Sequence, residues 1–381
     1  MRRIYLILLC TLCIGNYSFG QTPGNRNLKP DFFPIAVWAQ NPTNAEAYKN
    51  IGVNMFVSVS LNQGTLDLLK KANMMAIAHQ NDFGRANLQD PTIYAWMHGD
   101  EPDNAQAKKN GGQGYDPCID PAIIIADYEK IKKSDPSRPI YLNLGRAVSY
   151  TKWGGRGACT GNVDSYKMSK NGYLKACDMA SFDIYPVNAS EPEVKNHLEW
   201  VATGIKNLIE WSDYSKPMWC WIETCKIGDK TDRKPTPAEV KSEVWMALIH
   251  GAKGFGYFCH SFIKPMDTAA PLHDPEMSAG LKAINAEVTS LAKVLNSENS
   301  KDFASVQSVN GDVPIDMMTK KVGKENYVFA IAMKGGNTKA SFDVKSGKNA
   351  EVLGENRTIK IEKGKFSDDF SSYSVHMYKI K

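Results

Sequence analysis

From Asp31 to about Asn296 the chain alternates short apolar runs with helical stretches, and this alternation limits the fold more than any other feature. The runs are Pro34–Trp38, Met55–Val59, Met74–Ala78, Ile93–Met97, Ile140–Leu144, Met179–Ile184, Met218–Ile222 and Gly254–Phe258. Several are apolar on both faces, as a strand buried in a parallel sheet must be. Helical stretches lie between most of them: Asn44–Asn50 after Pro42-Thr43, Thr65–Lys71, Ala122–Lys133, Pro192–Trp211, Ala238–His250 after Thr236-Pro237, and Ala279–Leu295. Only the short Ala86–Asp90 stands between the third and fourth runs. Eight strands alternating with helices predict an α/β fold, a (β/α)8 TIM barrel over residues 31–297. A doubly wound open sheet is the structural alternative.

Beyond Asn296 the pattern changes. Tyr327–Met333, Ala340–Val344, Arg357–Glu362 and Ser374–Ile380 read as strands, and Gly335-Gly336-Asn337 and Ser346-Gly347-Lys348 as hairpin turns. Residues 301–381 are therefore expected to form a small C-terminal antiparallel β domain, sandwich-like, packed on the barrel as a stabilising module. If that domain bound glycan instead, Phe366, Phe370 and Tyr373 would be its contact residues.

Residues 1–20 read as a secretory signal: Arg2 and Arg3, an apolar Ile4–Ile14, and Ser18-Phe19-Gly20 before a cut at Gln21. The apolar run is too short to span a bilayer, so the chain is expected to be exported, with no membrane span after the signal is removed. An exported chain can oxidise its thiols; Cys118 and Cys159, in Gly-rich segments, are the candidate pair, whereas Cys177, Cys220 and Cys259 belong with apolar strands. No paired C-x-x-C spacing suggests zinc. The formal net charge is +5, of which the signal carries two positive charges. No concentrated basic patch argues for nucleic acid.

In a barrel, chemistry gathers at the C-terminal ends of the strands. Two carboxylates stand out there. Glu101 closes Tyr94-Ala95-Trp96-Met97-His98-Gly99-Asp100-Glu101-Pro102, and Glu223 closes Met218-Trp219-Cys220-Trp221-Ile222-Glu223. Each follows an apolar strand, where a charge aimed into the core would be costly. Such a pair suits glycosidic cleavage, with one group donating a proton and the other attacking the sugar carbon or activating water. Around them, His79, Asp100, Asn143, Asp183, Tyr185 and His260 stand at strand ends as candidate substrate contacts. Trp38, Trp153 and Trp221 are candidate stacking platforms, with the barrel core as the alternative place for Trp38 and Trp221. No Gly-x-Ser-x-Gly elbow and no phosphate-binding loop is present.

These motifs resemble the large clan of retaining TIM-barrel glycoside hydrolases. Asp100-Glu101-Pro102 resembles the clan's Asn-Glu-Pro at the fourth strand, and Ile222-Glu223-Thr224 its seventh-strand nucleophile. Asp135-Pro136-Ser137-Arg138-Pro139 resembles the join to its fifth strand, Ser181–Pro186 the end of its sixth, and Pro235–Phe258 the helix-seven and strand-eight segment of barrel-type bacterial hydrolases. The resemblance implies that Glu101 is the acid/base, Glu223 the nucleophile and Tyr185 its orienting neighbour. Asp100 stands where the clan has Asn, which binds the sugar 2-hydroxyl, and the clan's aromatic after strand eight has only Phe258 and His260 as counterparts. The expected partner is a carbohydrate substrate, with no cofactor and no metal. The competing readings are a non-catalytic glycan-binding protein on the same barrel, suggested by the atypical Asp100, and a metal-dependent hydrolase using His79, His98 and His260.

Overall fold

The computed structural model describes residues 28–109, 111–152, 162–229 and 231–381; the expected signal, Trp153 and Cys159 lie outside the described residues. Eight strands form the barrel: β1 (Ile35–Trp38), β2 (Met55–Ser60), β3 (Met75–His79), β4 (Ile93–Asp100), β5 (Ile140–Leu144), β6 (Met179–Asp183), β7 (Met218–Glu223) and β8 (Gly254–Phe258). Every neighbouring pair is parallel, and β1 bonds to β8, which closes the ring and removes the open-sheet alternative. Each predicted run is a strand, and β4 continues beyond its run to Asp100.

Helices α1 (Ala45–Asn50), α2 (Gln63–Lys71), α3 (Asp82–Ala86), α4 (Pro121–Ser134), α5 (Trp200–Trp211), α6 (Pro237–Ile249), α7 (Ala270–His273), α8 (Pro275–Ser290) and α9 (Ala292–Leu295) surround it. Helix α6 starts where Thr236-Pro237 suggests: the Thr236 hydroxyl accepts from the Glu239 amide while the Glu239 carboxylate accepts from the Thr236 amide. The helix expected over Pro192–Trp211 begins only at Trp200, because Asn196 takes a left-handed φ of 62° and the preceding segment turns over the barrel mouth. The third helix lies at Asp82–Ala86 rather than after Ala86, capped by the Asn81 side chain.

The barrel interior is filled by aromatic rings. Trp38, Tyr141, Trp219 and Trp221 pack there, with Trp38 and Trp221 edge-on at 4.8 Å. Strand β8 makes room for them with glycines. A Cβ at Gly254 would come within 2.4 Å of the Trp219 ring, and one at Gly256 within 2.1 Å of Trp221. Trp38 and Trp221 are thus core side chains, buried to 8% and 1% residual exposure, and not open stacking platforms.

The C-terminal domain has eight strands in two antiparallel sheets. β9 (Ala304–Ser308), β12 (Thr338–Val344) and β15 (Lys365–Phe370) make one, ordered β9-β12-β15; β10 (Ile315–Val322), β11 (Glu325–Ala332), β13 (Asn349–Val352), β14 (Arg357–Lys360) and β16 (Val375–Ile380) make the other, ordered β10-β11-β16-β13-β14. The two turns read as hairpins each carry the chain from one sheet to the other, since β11 and β12, and β12 and β13, do not pair. Phe366 and Phe370 are buried between the sheets, so they form the domain core and not a glycan surface. Tyr373 faces the barrel, where its hydroxyl donates to the Asn196 carbonyl at 3.1 Å. Docking is by helix α6: Trp245 stacks on Phe329 at 5.4 Å, and the Ser242 hydroxyl donates to the Tyr373 carbonyl at 2.8 Å. No helix among the described residues is long and apolar enough to cross a membrane.

Replacing Gly256 by alanine should force a Cβ into the Trp221 ring and cost roughly 1–3 kcal/mol. Gly311→Ala, where a Cβ meets nothing within 4 Å, is the control. Urea denaturation of both variants checks this; equal midpoints would exclude tight interior packing at β8.

Candidate functional site: a cleft with two carboxyl pairs

The C-terminal strand ends open into a cleft of about 450 Å³ lined by Glu101, Asp183, Tyr185, Arg146, Asn188 and Asp229, among others. Glu101 follows β4 with a left-handed backbone, φ 43°. That conformation is uncommon for a residue with a side chain and is held by neighbours. The Glu101 amide donates to the Asn143 carbonyl at 3.0 Å, and the Gln106 side chain donates to the Glu101 carbonyl at 3.0 Å. Its carboxylate accepts from the Asn104 side chain at 3.1 Å.

Asp183 ends β6 on the interior face, two residues after Ser181. Its carboxyl and that of Glu101 line the same cleft. Burial above all, then the nearby Glu101 and Asp100 charges, pushes the Asp183 carboxyl well above the usual range. The Tyr185 hydroxyl donates to Asp183 at 3.4 Å. Asp103, beneath Glu101, is also raised, to about 7, by burial, although the Gly145 amide and the Tyr166 hydroxyl donate to it.

Glu223 is placed differently. Alternation along β7 would set it on the interior face with Trp219 and Trp221. Instead its carboxylate is fully buried, accepting from the Val187 amide at 2.6 Å, the Asn188 amide at 2.8 Å and the Asn188 side chain. It also meets the carboxyl of Glu243, a fully buried residue of α6. Burial raises Glu223 to about 7, against the lowering effect of its donors. Glu243 has no such donors. Burial and the Glu223 charge raise it well above the carboxylate range. Glu223 is absent from the cleft lining, and the turn at Val187-Asn188 covers it.

Of the other expected residues, Asn143 donates to Asp100 at 2.9 Å and accepts from Ser181 at 2.6 Å, so it orients Asp100 from below. His79 meets Ser58 at 3.0 Å and His260 meets the Trp38 carbonyl at 3.1 Å; neither lines the cleft. His98 bonds the Ile124 carbonyl, so the three histidines have separate partners. Among the described residues no cluster of His, Cys, Asp and Glu is arranged to hold a metal ion. Asp103, Asn188, Asp229 and Glu243 were not singled out from sequence. Glu243 carried a signal: it directly precedes the six-residue apolar run Val244–Ile249 of α6 and lies one helical turn after the apolar Val240.

Neither a family model nor a curated protein matches the sequence. Solved structures do match. The GH42 β-galactosidase Gan42B from G. stearothermophilus, in a catalytic mutant form, aligns with a TM-score of 0.57 at 8% identity over 92% of this chain and 98% of its own. AmyP in complex with maltotriose aligns with a TM-score of 0.56 at 9% identity over 92% and 97%. The maltogenic α-amylase AmyB from Thermotoga neapolitana aligns with a TM-score of 0.51 at 9% identity over 92% and 99%. The fold is that of the TIM-barrel glycoside hydrolases. At these identities the likeness is one of architecture, and it extends through the C-terminal β domain.

The Glu223–Glu243 pair has a measurable consequence. A group whose folded pKa is raised stabilises the fold fully below its unfolded pKa, and that contribution is lost as pH rises through the folded value. Thermal stability should therefore fall between about pH 4.5 and pH 7. Glu243→Gln keeps a donor for Glu223 without needing a proton and should flatten this slope by on the order of 2 kcal/mol. Melting temperatures of both proteins across that range decide it; parallel curves would mean that no proton is shared.

Proposed function

We propose that this chain is a glycoside hydrolase that cleaves an uncharged poly- or oligosaccharide outside the cytoplasm. The observation that carries the reading is that two carboxyls, Glu101 and Asp183, line one cleft large enough for a sugar, with the Asp183 carboxyl pushed well up by burial and the neighbouring acids. A proton donor for a leaving glycosidic oxygen must be protonated near neutral pH, and a cleft that raises a carboxyl in this way favours that form. The neighbours of the same fold include a β-galactosidase and a protein crystallised with maltotriose, which agrees with a sugar substrate.

In this reading Glu101 protonates the leaving oxygen as the C–O bond breaks, with Asp183 as its proton reserve. Glu223, whose three N–H donors favour its carboxylate form against the raising effect of burial, attacks the sugar carbon as that form. Water, giving its proton to Glu101, then releases the sugar with retained configuration. Attack by Glu223 requires the Val187-Asn188 turn to lift from it. Cleft residues Glu101, Asp183 and Asp229 are acidic and Arg146 is engaged by Glu191 at 2.8 Å, so the field disfavours uronates and sulfated sugars. Export, expected from residues 1–20, suits a polymeric substrate.

The burial of Glu223 favours a second reading, in which it anchors the Val187-Asn188 turn and Glu101 and Asp183 alone face the substrate. One set of variants separates the two. Glu101→Gln should lower kcat by about 10²–10⁴-fold on any glycan the wild type cleaves; full activity would overturn the proposal. Asp183→Asn should move the basic limb of the pH–rate profile to lower pH, since it removes the one cleft carboxyl that burial and its acidic neighbours push well up. Glu223→Ala with added azide should recover turnover and yield a glycosyl azide if Glu223 is the nucleophile. No azide product, with a lowered melting temperature only, would leave it as an anchor.

A further inference from the structure

We propose that Phe262, on the loop after β8, is a stacking platform for one pyranose ring of the glycan, beside the cleft and outside the position of bond cleavage. The inference rests on the glycosidase reading for its ligand class, and on the following geometry for its place. Phe262 is 57% exposed and Met266, across the same loop, is 67% exposed. Large apolar side chains so open to water on an ordered loop call for a ligand contact more than isolated surface leucines do.

The ring stands beside two others and is more than half open to water. His260 lies parallel to it, at 12° and 6.2 Å, and Phe258 flanks it at 6.3 Å. Phe258 in turn packs on Tyr185 of the cleft at 5.1 Å. A line of rings thus runs from the cleft wall to the rim, and Phe262 is its outer end. The Phe262 amide donates at 2.8 Å to the carbonyl of Ile227, itself a cleft residue, so the platform and the cleft share a wall.

The loop is fixed before any ligand arrives. Ser261 and Asp267 exchange backbone hydrogen bonds at 2.7 and 3.0 Å, closing its base. The Asp267 carboxylate is bound by His273 at 2.8 Å, and the Gln40 side chain donates to the Thr268 carbonyl at 2.7 Å. A fixed aromatic ring open to water loses little conformational freedom on binding, and its π face meets the C–H face of a pyranose without asking for a particular hydroxyl pattern. The contact would therefore select for chain length rather than for sugar identity.

The test uses the full chain and Phe262→Ala, with Phe262→Trp as the conservative variant. The probes are maltohexaose, cellohexaose, xylohexaose and galactohexaose, with the corresponding 4-nitrophenyl monoglycosides. On the hexaose that is cleaved, Phe262→Ala should raise KM roughly three- to tenfold with kcat little changed. The monoglycoside should be unaffected, and Phe262→Trp should restore the wild-type KM. Equal constants for wild type and Phe262→Ala on the hexaose would overturn the platform while leaving the hydrolase standing, as would equal losses on both substrate lengths. If wild type cleaves none of them, affinity electrophoresis in gels containing the matching polysaccharides replaces kinetics. Retardation lost in Phe262→Ala would then support the platform and count against hydrolysis; retardation equal in both, or absent in wild type, would overturn it.

Discussion

Three carboxyl groups, Asp103, Glu223 and Glu243, are withdrawn from water around the mouth of this barrel, with Asp183 half-buried at the cleft, and the cost of burying them governs the structure there. An isolated buried carboxylate is strongly unfavourable, so each must collect donors or keep its proton. Asp103 and Glu223 collect donors. The donors are backbone amides of the segments after β5 and β6: Gly145 for Asp103, Val187 and Asn188 for Glu223. Asp183 and Glu243 are pushed toward the protonated form, each beside a glutamate. The loops that shape the cleft are consequently tied to acids on β4 and β7, and their conformation depends on the charge state of those acids.

A second constraint joins the barrel interior to the same site. The Trp221 indole N–H donates to Ser181 at 3.1 Å, Ser181 donates to Asn143, and Asn143 donates to Asp100. Trp221 can occupy the interior only because Gly256 has no side chain. Packing of the aromatic core and the direction of Asp100 beside Glu101 are therefore one arrangement. Disturbing either end disturbs a chain of buried polar groups, which is costly when left half satisfied.

The parts of the fold that sequence made visible are those governed by local rules. Strands buried on both faces leave continuous apolar runs, so all eight barrel strands were readable, and Thr236-Pro237 marked the start of α6 by its capping chemistry. In the C-terminal domain β9, β10, β13 and β15 were not recognised, since polar and charged residues interrupt their apolar ones and much of each is half-buried or exposed. The segment Pro192–Leu198 has helical spacing of apolar residues, yet tertiary contacts at Asn196 and the barrel mouth override it. In the site, Glu101 and Asp183 were visible as strand-end acids. That both line one cleft was not, because it depends on the bend of the chain after β4. Nor could alternation reveal that Glu223 is buried against α6, since its neighbour Glu243 lies on that helix and its donors come from the segment after β6.

The backbone at Glu101 bears on what that residue is for. A left-handed conformation at a residue with a Cβ costs roughly 1–2 kcal/mol, and the surrounding structure holds it with bonds to both Asn143 and Gln106. A carboxylate that merely capped the following turn would not need this, since such a role is met from an extended backbone. Asn104 and Gln106, which close the turn, are half of the support, and Asn143, which also orients Asp100, is the other half. The held backbone keeps the Glu101 side chain at the cleft that Asp183 also lines. A position that is unfavourable locally, supported from two elements, and set on an acidic cleft has the form expected where chemistry rather than stability sets the geometry.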